Sequence, residues 1–348
     1  MNIESQCTIK QGFRKLRYHL KALTVVVIVA IMALVWAIWI NPLYRQSQAV
    51  KELIKFGAGV RSEPCMFGLF ESAIEVKFPE KTTDEDLKIL KDCPRLFILI
   101  LAGTKITDKG LENLRWIKPL WIRNNPIGIL WLNDTLITDE GLKYLKYWPS
   151  LEGLYLERTK ITDSGLAYLK GLKLDGIILS RTSVTDQGMV HLNAIPTLKG
   201  IDLSNTAVTD LALASLIHKD VIKGLDLRET RITDSGLKEL ERFSGLVSLD
   251  LSETQVSDLG LASLERLSNL EYLELRGTHV TDRGLKDIAR LKNLKVLDLE
   301  KTDITDAGLL ELKSLAKLKM LHVQHTHITQ AGINELEKII PNGVEVER

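Results

Sequence analysis

The sequence predicts an α/β solenoid, with a parallel sheet on the concave face, helices on the convex face and about eleven coils after an N-terminal transmembrane helix. Three observations carry this. A phrase of the form T-x-I-T-D-x-G-L recurs along the chain at a nearly constant step. Within each copy, apolar residues alternate over a short stretch and then take a helical spacing. Ahead of the copies lies one uncharged apolar run, Ala22 to Ile40.

With the Asp of the phrase as zero, the register runs through Asp84, Asp108, Asp139, Asp163, Asp186, Asp210, Asp234, Asp258, Asp282 and Asp306, and Gln330 closes it. The steps are 24, 31, 24 and 23 residues, then 24 six times. One unit reads LVSLDLSETQVSDLGLASL, Leu246 to Leu264. Leu249 and Leu251 stand two apart, so both face one side of a short strand. Val256, Leu261 and Leu264 carry the same core around the coil. Thr fills the column where the strand turns, ten times from Thr104 to Thr326, and its short hydroxyl can bond the loop backbone there. The Thr/Ser-Asp pair is a helix start, a hydroxyl N-cap and then a carboxylate on the positive helix end. Gly two residues on (Gly236, Gly260, Gly284, Gly308) is expected to pack closely against the next coil, and Ala212 breaks that column once. One coil leaves both faces open, so each copy completes the core of the one before.

The period and the order L-x-x-L-x-L-x-x-T-x-I-T-D-x-G-L-x-x-L resemble leucine-rich repeats. More closely, residues 72–348 are similar to the 24-residue T-x-I-T-D-x-G-L kind found in bacterial membrane-anchored envelope proteins. Gln48 to Pro64, QAVKELIKFGAGVRSEP, looks like their membrane-proximal cap, a short helix and then a strand. A related subtype with Cys in the Thr column serves in ubiquitin-ligase adaptors, but this chain has Thr there and no F-box-like segment. The resemblance implies a fold more than a ligand.

Charge and hydropathy set the expected topology. The formal net charge is +1, yet residues 1–21 hold Lys10, Arg14, Lys15, Arg17 and Lys21 against Glu4, a net of +4, leaving about −3 for residues 41–348. A body so near neutral lacks the clustered basic face that nucleic acid needs. Nineteen apolar residues in a helix reach roughly 28 Å, close to the hydrocarbon thickness of a bilayer. The basic cluster precedes the run, which puts the N-terminus in the cytoplasm and the repeats outside. A cleaved signal peptide and a buried core helix are the competing readings. The expected division is a cytoplasmic basic tail over 1–21, a single bilayer span over 22–40, a helix-strand cap over 41–71 and the repeat domain over 72–348. On that topology Cys65 and Cys93 share an oxidising side; two buried thiols are favoured over a disulfide between them.

Recognition residues are sought where the frame is constant and the residue varies. Eight positions before each zero stand Ile100, Trp131, Tyr155, Ile178, Asp202, Asp226, Asp250, Glu274, Asp298 and His322, facing away from the core along the concave sheet. The column passes from apolar and aromatic to five carboxylates. Neighbouring strands lie about 4.8 Å apart, so these carboxylates should raise one another's pKa, with Arg228 and Arg276 relieving part of the repulsion. A merely soluble face is the plainer account. The sharper one is a groove with aromatic anchors beside an acidic track for a basic partner. The 31-residue step adds seven residues around Arg115 to Gly128, with Trp116 and Trp121, either a packed irregular turn or part of a binding face. His279 and His327 share a column around Asp303, but two rungs separate them by about 10 Å, so solvated histidines are expected and no metal site. The sequence has no G-x-S-x-G, H-E-x-x-H, Gly-rich phosphate loop or paired Cys-x-x-Cys, and its paired carboxylates are repeat columns rather than a unique pair. The expected function is therefore a non-enzymatic, membrane-anchored extracytoplasmic scaffold for protein recognition, without cofactor. A structural spacer binding wall material and an intracellular adaptor are the alternatives.

Overall fold

The computed structural model describes residues 23–65, 69–115, 127–340 and 343–348. Its strands form one sheet of thirteen in sequence order. β1 (Gly59–Cys65) pairs antiparallel with β2 (Phe70–Lys77). From β2 onward every pairing is parallel, through β3 (Ile98–Ile100) to β12 (Met320–His322) and β13 (Glu345–Glu347). β2 spans residues 71 and 72, the expected boundary between cap and repeats, and pairs with both sides of it.

Each strand from β3 to β12 has three residues, and its middle residue is buried, as in Leu99, Leu154, Leu225 and Leu297; in Ser248–Asp250 the outward Asp250 is buried as well. The chain then turns through a residue at positive φ, among them Asp134, Arg158, Glu229, Glu253 and Lys301 at 52–56°. The Thr that follows closes the turn: its hydroxyl donates to the carbonyl three residues back, at 2.6 Å for Thr104 to Leu101 and 2.5 Å for Thr254 to Leu251. That is the expected role of the Thr column. One apolar core runs without interruption from Ala49 to Val344. The cap helix (Asn41–Phe56) seals its first open face with Ala49, Val50 and Leu53. The closing helix (Gln330–Ile339) seals the last with Ile333 and Leu336.

The recurring phrase has a further purpose. In the coils from Thr107 to Thr305 the Thr or Ser at the phrase accepts from the N–H two residues on, as a cap should (3.3 Å for Leu259 to Ser257), and Thr329 accepts from the Gly332 N–H at 3.3 Å. The same residue is held by the Asp of the preceding coil. Ser257 donates its N–H to Oδ1 of Asp234 at 2.7 Å and its hydroxyl to Oδ2 at 2.6 Å. Thr107 on Asp84, Thr281 on Asp258 and Thr329 on Asp306 repeat the pair. Gly follows because a β-carbon at Gly260 would stand 2.6 Å from Oδ1 of Asp234. The expected close approach is therefore made to the previous coil. Ala212 is tolerated: Thr209 still bonds Asp186 at 2.8 and 2.7 Å.

The N-terminal expectation is corrected. Residues 23–35 are α-helical, Trp36–Ile40 widen to a π-helix, and the amphipathic cap helix follows. No helix among the described residues is long and apolar enough to cross a membrane. Thirteen α-helical residues rise about 20 Å, short of the roughly 30 Å of hydrocarbon. The single-pass localisation, with a cytoplasmic N-terminus and extracytoplasmic repeats, is thereby overturned, and a bilayer span over residues 22–40 finds no support. Residues 23–37 are exposed, so a buried core helix does not describe them either. The basic tail, 1–21, lies outside the described residues.

Candidate functional site

The concave column is built by register. Ile100, Trp131, Tyr155, Ile178, Asp202, Asp226, Asp250, Glu274, Asp298 and His322 are successive Cα partners across ten parallel strands. The column reads as expected from the sequence, one position per coil. At its apolar end Trp131 and Tyr155 stack, ring centroids 4.1 Å apart and planes within 9°. At its far end His322 Nδ1 lies 3.1 Å from Glu347 on β13.

The carboxylates between differ in their surroundings. Asp202 accepts from the Ser204 N–H and hydroxyl at 2.8 and 2.7 Å. Asp250 accepts from the Ser252 N–H at 2.8 Å and Asp298 from the Glu300 N–H at 2.8 Å. Arg228 lies between two members of the row, 3.5 Å from Asp226 and 3.9 Å from Asp250. Arg276 pairs with Glu300 and Glu253 and also acts on Asp298, lowering its pKa, so it relieves the row at that end. Burial first, and then Asp202, push the Asp226 carboxyl up to about 7. Burial and a hydrogen-bonded Asp250 push Glu274 up to about 7, and burial raises Asp298 as well. Repulsion along the row has the anticipated sign, but desolvation is the larger cause.

A second outward column lies two residues earlier in each strand: Ile98, Ile129, Gly153, Gly176, Gly200, Gly224, Ser248, Tyr272, Val296 and Met320. Four consecutive coils have no side chain there. The gap opens a shallow cavity of about 320 Å³ between Tyr155, Ile178 and the carboxylates Asp202, Asp226, Asp250 and Glu274. Sequence reasoning missed this trough, although EGLYL, DGIIL, KGIDL and KGLDL spell it out in four successive units. A polar cavity of about 550 Å³ flanks the other side of the row, with Arg181, Arg228 and Arg276 among its walls.

The remaining candidates are placed as follows. Trp116 and Trp121 of the insertion lie outside the described residues. Cys65 sits on β1, Cys93 is buried in the core, and no disulfide joins them. Burial pushes the Cys93 thiol up to about 12. His327 stands 3.8 Å from Asp303, both well exposed, and no group of three metal-ligating side chains is assembled among the described residues.

Residues 266–289 and 290–313 match the family model described as Leucine Rich repeat, which identifies two of the coils directly. No curated protein matches the chain. Among solved structures, an internalin (InlF) of Listeria monocytogenes is similar at 19% identity, over 75% of this chain and 70% of that one, with a TM-score of 0.56. The leucine-rich repeat ectodomain of the Arabidopsis receptor kinase HAESA, in complex with a peptide hormone ligand, is similar at 14% identity. That match covers 83% of this chain and half of the ectodomain, with a TM-score of 0.51. At these identities the likeness establishes a leucine-rich repeat solenoid fold.

Proposed function

We propose that this chain is a non-enzymatic recognition protein that holds a protein partner on its concave sheet. The carrying observation is the outward column, which holds its register over ten strands while its chemistry changes from the Trp131/Tyr155 stack to a run of five carboxylates. The core, the Thr turns and the Asp clasps hold the fold from other positions, so the fold leaves this column free to vary. Trp131, Tyr155 and Ile178 supply amphipathic and apolar area; Asp202, Asp226, Asp250, Glu274 and Asp298 supply charge; His322 ends the column. Binding energy concentrates on aromatic anchors, while charges set register and rate. The similar HAESA ectodomain is solved with a peptide hormone, which supports a peptide-binding use of this architecture.

The test uses the full chain, immobilised. Proteins captured by the parent chain are identified, and their affinities for Trp131→Ala and for the pair Asp226→Lys, Asp250→Lys are measured. Each change is expected to weaken capture at least tenfold with the fold intact. Undiminished affinity in both would remove the concave column from the account.

A further inference from the structure

The glycine column asks for an explanation that the fold does not supply. Gly176, Gly200 and Gly224 lie in extended strands, and no positive φ is recorded for them. A β-carbon at Gly200 or Gly224 would meet no atom within 4 Å, and one at Gly176 would meet only the Gly200 carbonyl at 3.9 Å. Other coils carry Ile129, Tyr272 or Val296 at the same place, so the solenoid accepts large side chains there. Glycine inside a strand weakens it and marks places where a ligand or another backbone comes close.

Resting on the recognition function above, we propose that the occupant is an extended polypeptide segment with Lys or Arg at alternate positions, its main chain lying in the glycine trough. The charge balance selects a cationic partner. Five carboxylates stand in consecutive register against two guanidinium groups among the described residues, Arg228 beside Asp226 and Asp250 and Arg276 acting on Asp298, while Asp202, Asp250 and Glu274 all act on Asp226 or are acted on by it. The dimensions select an extended one. Gly176 to Ser248 spans three strand spacings, about 14 Å, the length of four extended residues. A helix, 10–12 Å across, would ride on the flanking side chains and leave the glycine floor empty. In an extended segment alternate side chains point the same way, about 7 Å apart. Two basic side chains on flexible stems then cover the stretch from Asp226 to Glu274, and an apolar residue at the other end meets Tyr155. Because burial holds Asp226 and Glu274 near 7, the row gains charge, and so grip, as pH rises through neutrality.

The experiment is selection of a random hexapeptide library on the full chain, followed by affinity measurement of the enriched peptides. Enrichment of Lys or Arg at alternate positions is expected. Affinity should fall at least tenfold on Gly200→Val or Gly224→Val with the melting temperature held or raised, and rise several-fold from pH 6 to pH 8. Val at these places fills the trough and leaves every charge in position. Peptides with no basic pattern, or binding indifferent to both Val substitutions, overturn the segment. If such peptides still need Trp131, the concave surface stands without it; if they ignore Trp131 and the carboxylates alike, both readings fall.

Discussion

The aspartate of each phrase links one coil to the next. Asp234 accepts two hydrogen bonds from Ser257, and the nearby Gly260 leaves room for its carboxylate. Removing it as Asp234→Ala leaves a part-buried N–H and hydroxyl without their acceptor, and should cost about 1–3 kcal/mol in a urea melt. Gly260→Ala is opposed by overpacking of about 1–3 kcal/mol and helped by about 1 kcal/mol of helix propensity. A net loss of roughly 1 kcal/mol is expected; a gain would deny the close approach. The terminal clasp is also visible electrically: bonds from Thr329 hold Asp306 below the usual carboxylate range. At this scale the sequence told which residues recur and what the caps do. It did not tell where Asp points, because a carboxylate suited to its own helix dipole is equally suited to its neighbour's N–H.

Among the elements, the strand column was fully legible, since a period of two within a period of 24 leaves one choice of outward residue. The turns were less so: Arg158, Glu229 and Lys301 take left-handed backbone that composition assigns to Gly or Asn. The apolar run misled for a similar reason. Its hydropathy counts side chains, but not the change of winding at Trp36–Ile40 or the amphipathic helix that follows. Burial of the carboxylate row has a pH consequence. Asp226 carries a folded value near 7, above its unfolded one, so the folded chain binds the extra proton. Stability on this account is greatest below the unfolded value, near 4, and is lost as pH rises through about 7. Asp226→Asn should therefore raise the melting temperature at pH 8, and the gain should shrink at pH 5. Equal gains at both would show that the carboxylate is not desolvated.

Across the whole molecule, coils interact with their neighbours and little beyond. Leu225 and Leu249 are partners on adjacent strands, whereas Leu225 and Leu321 are four coils apart. Each Leu→Ala should cost about 2–5 kcal/mol. The adjacent pair should depart from additivity by more than about 0.5 kcal/mol, and the distant pair should add within that margin. The solenoid was legible because repetition leaves few topologies; the glycine trough was not read, because an empty position attracts no notice beside a charged one. On the proposed reading, this trough and its flanking column meet the partner. The most direct measurement places a photo-cross-linking residue at Tyr155 or Ile178 on the concave face, and at Val190 or Leu259 elsewhere, both strongly exposed. Adducts with the captured partner from the first two positions and not the second two are predicted. Adducts from Val190 or Leu259, with none from Tyr155 and Ile178, would contradict it.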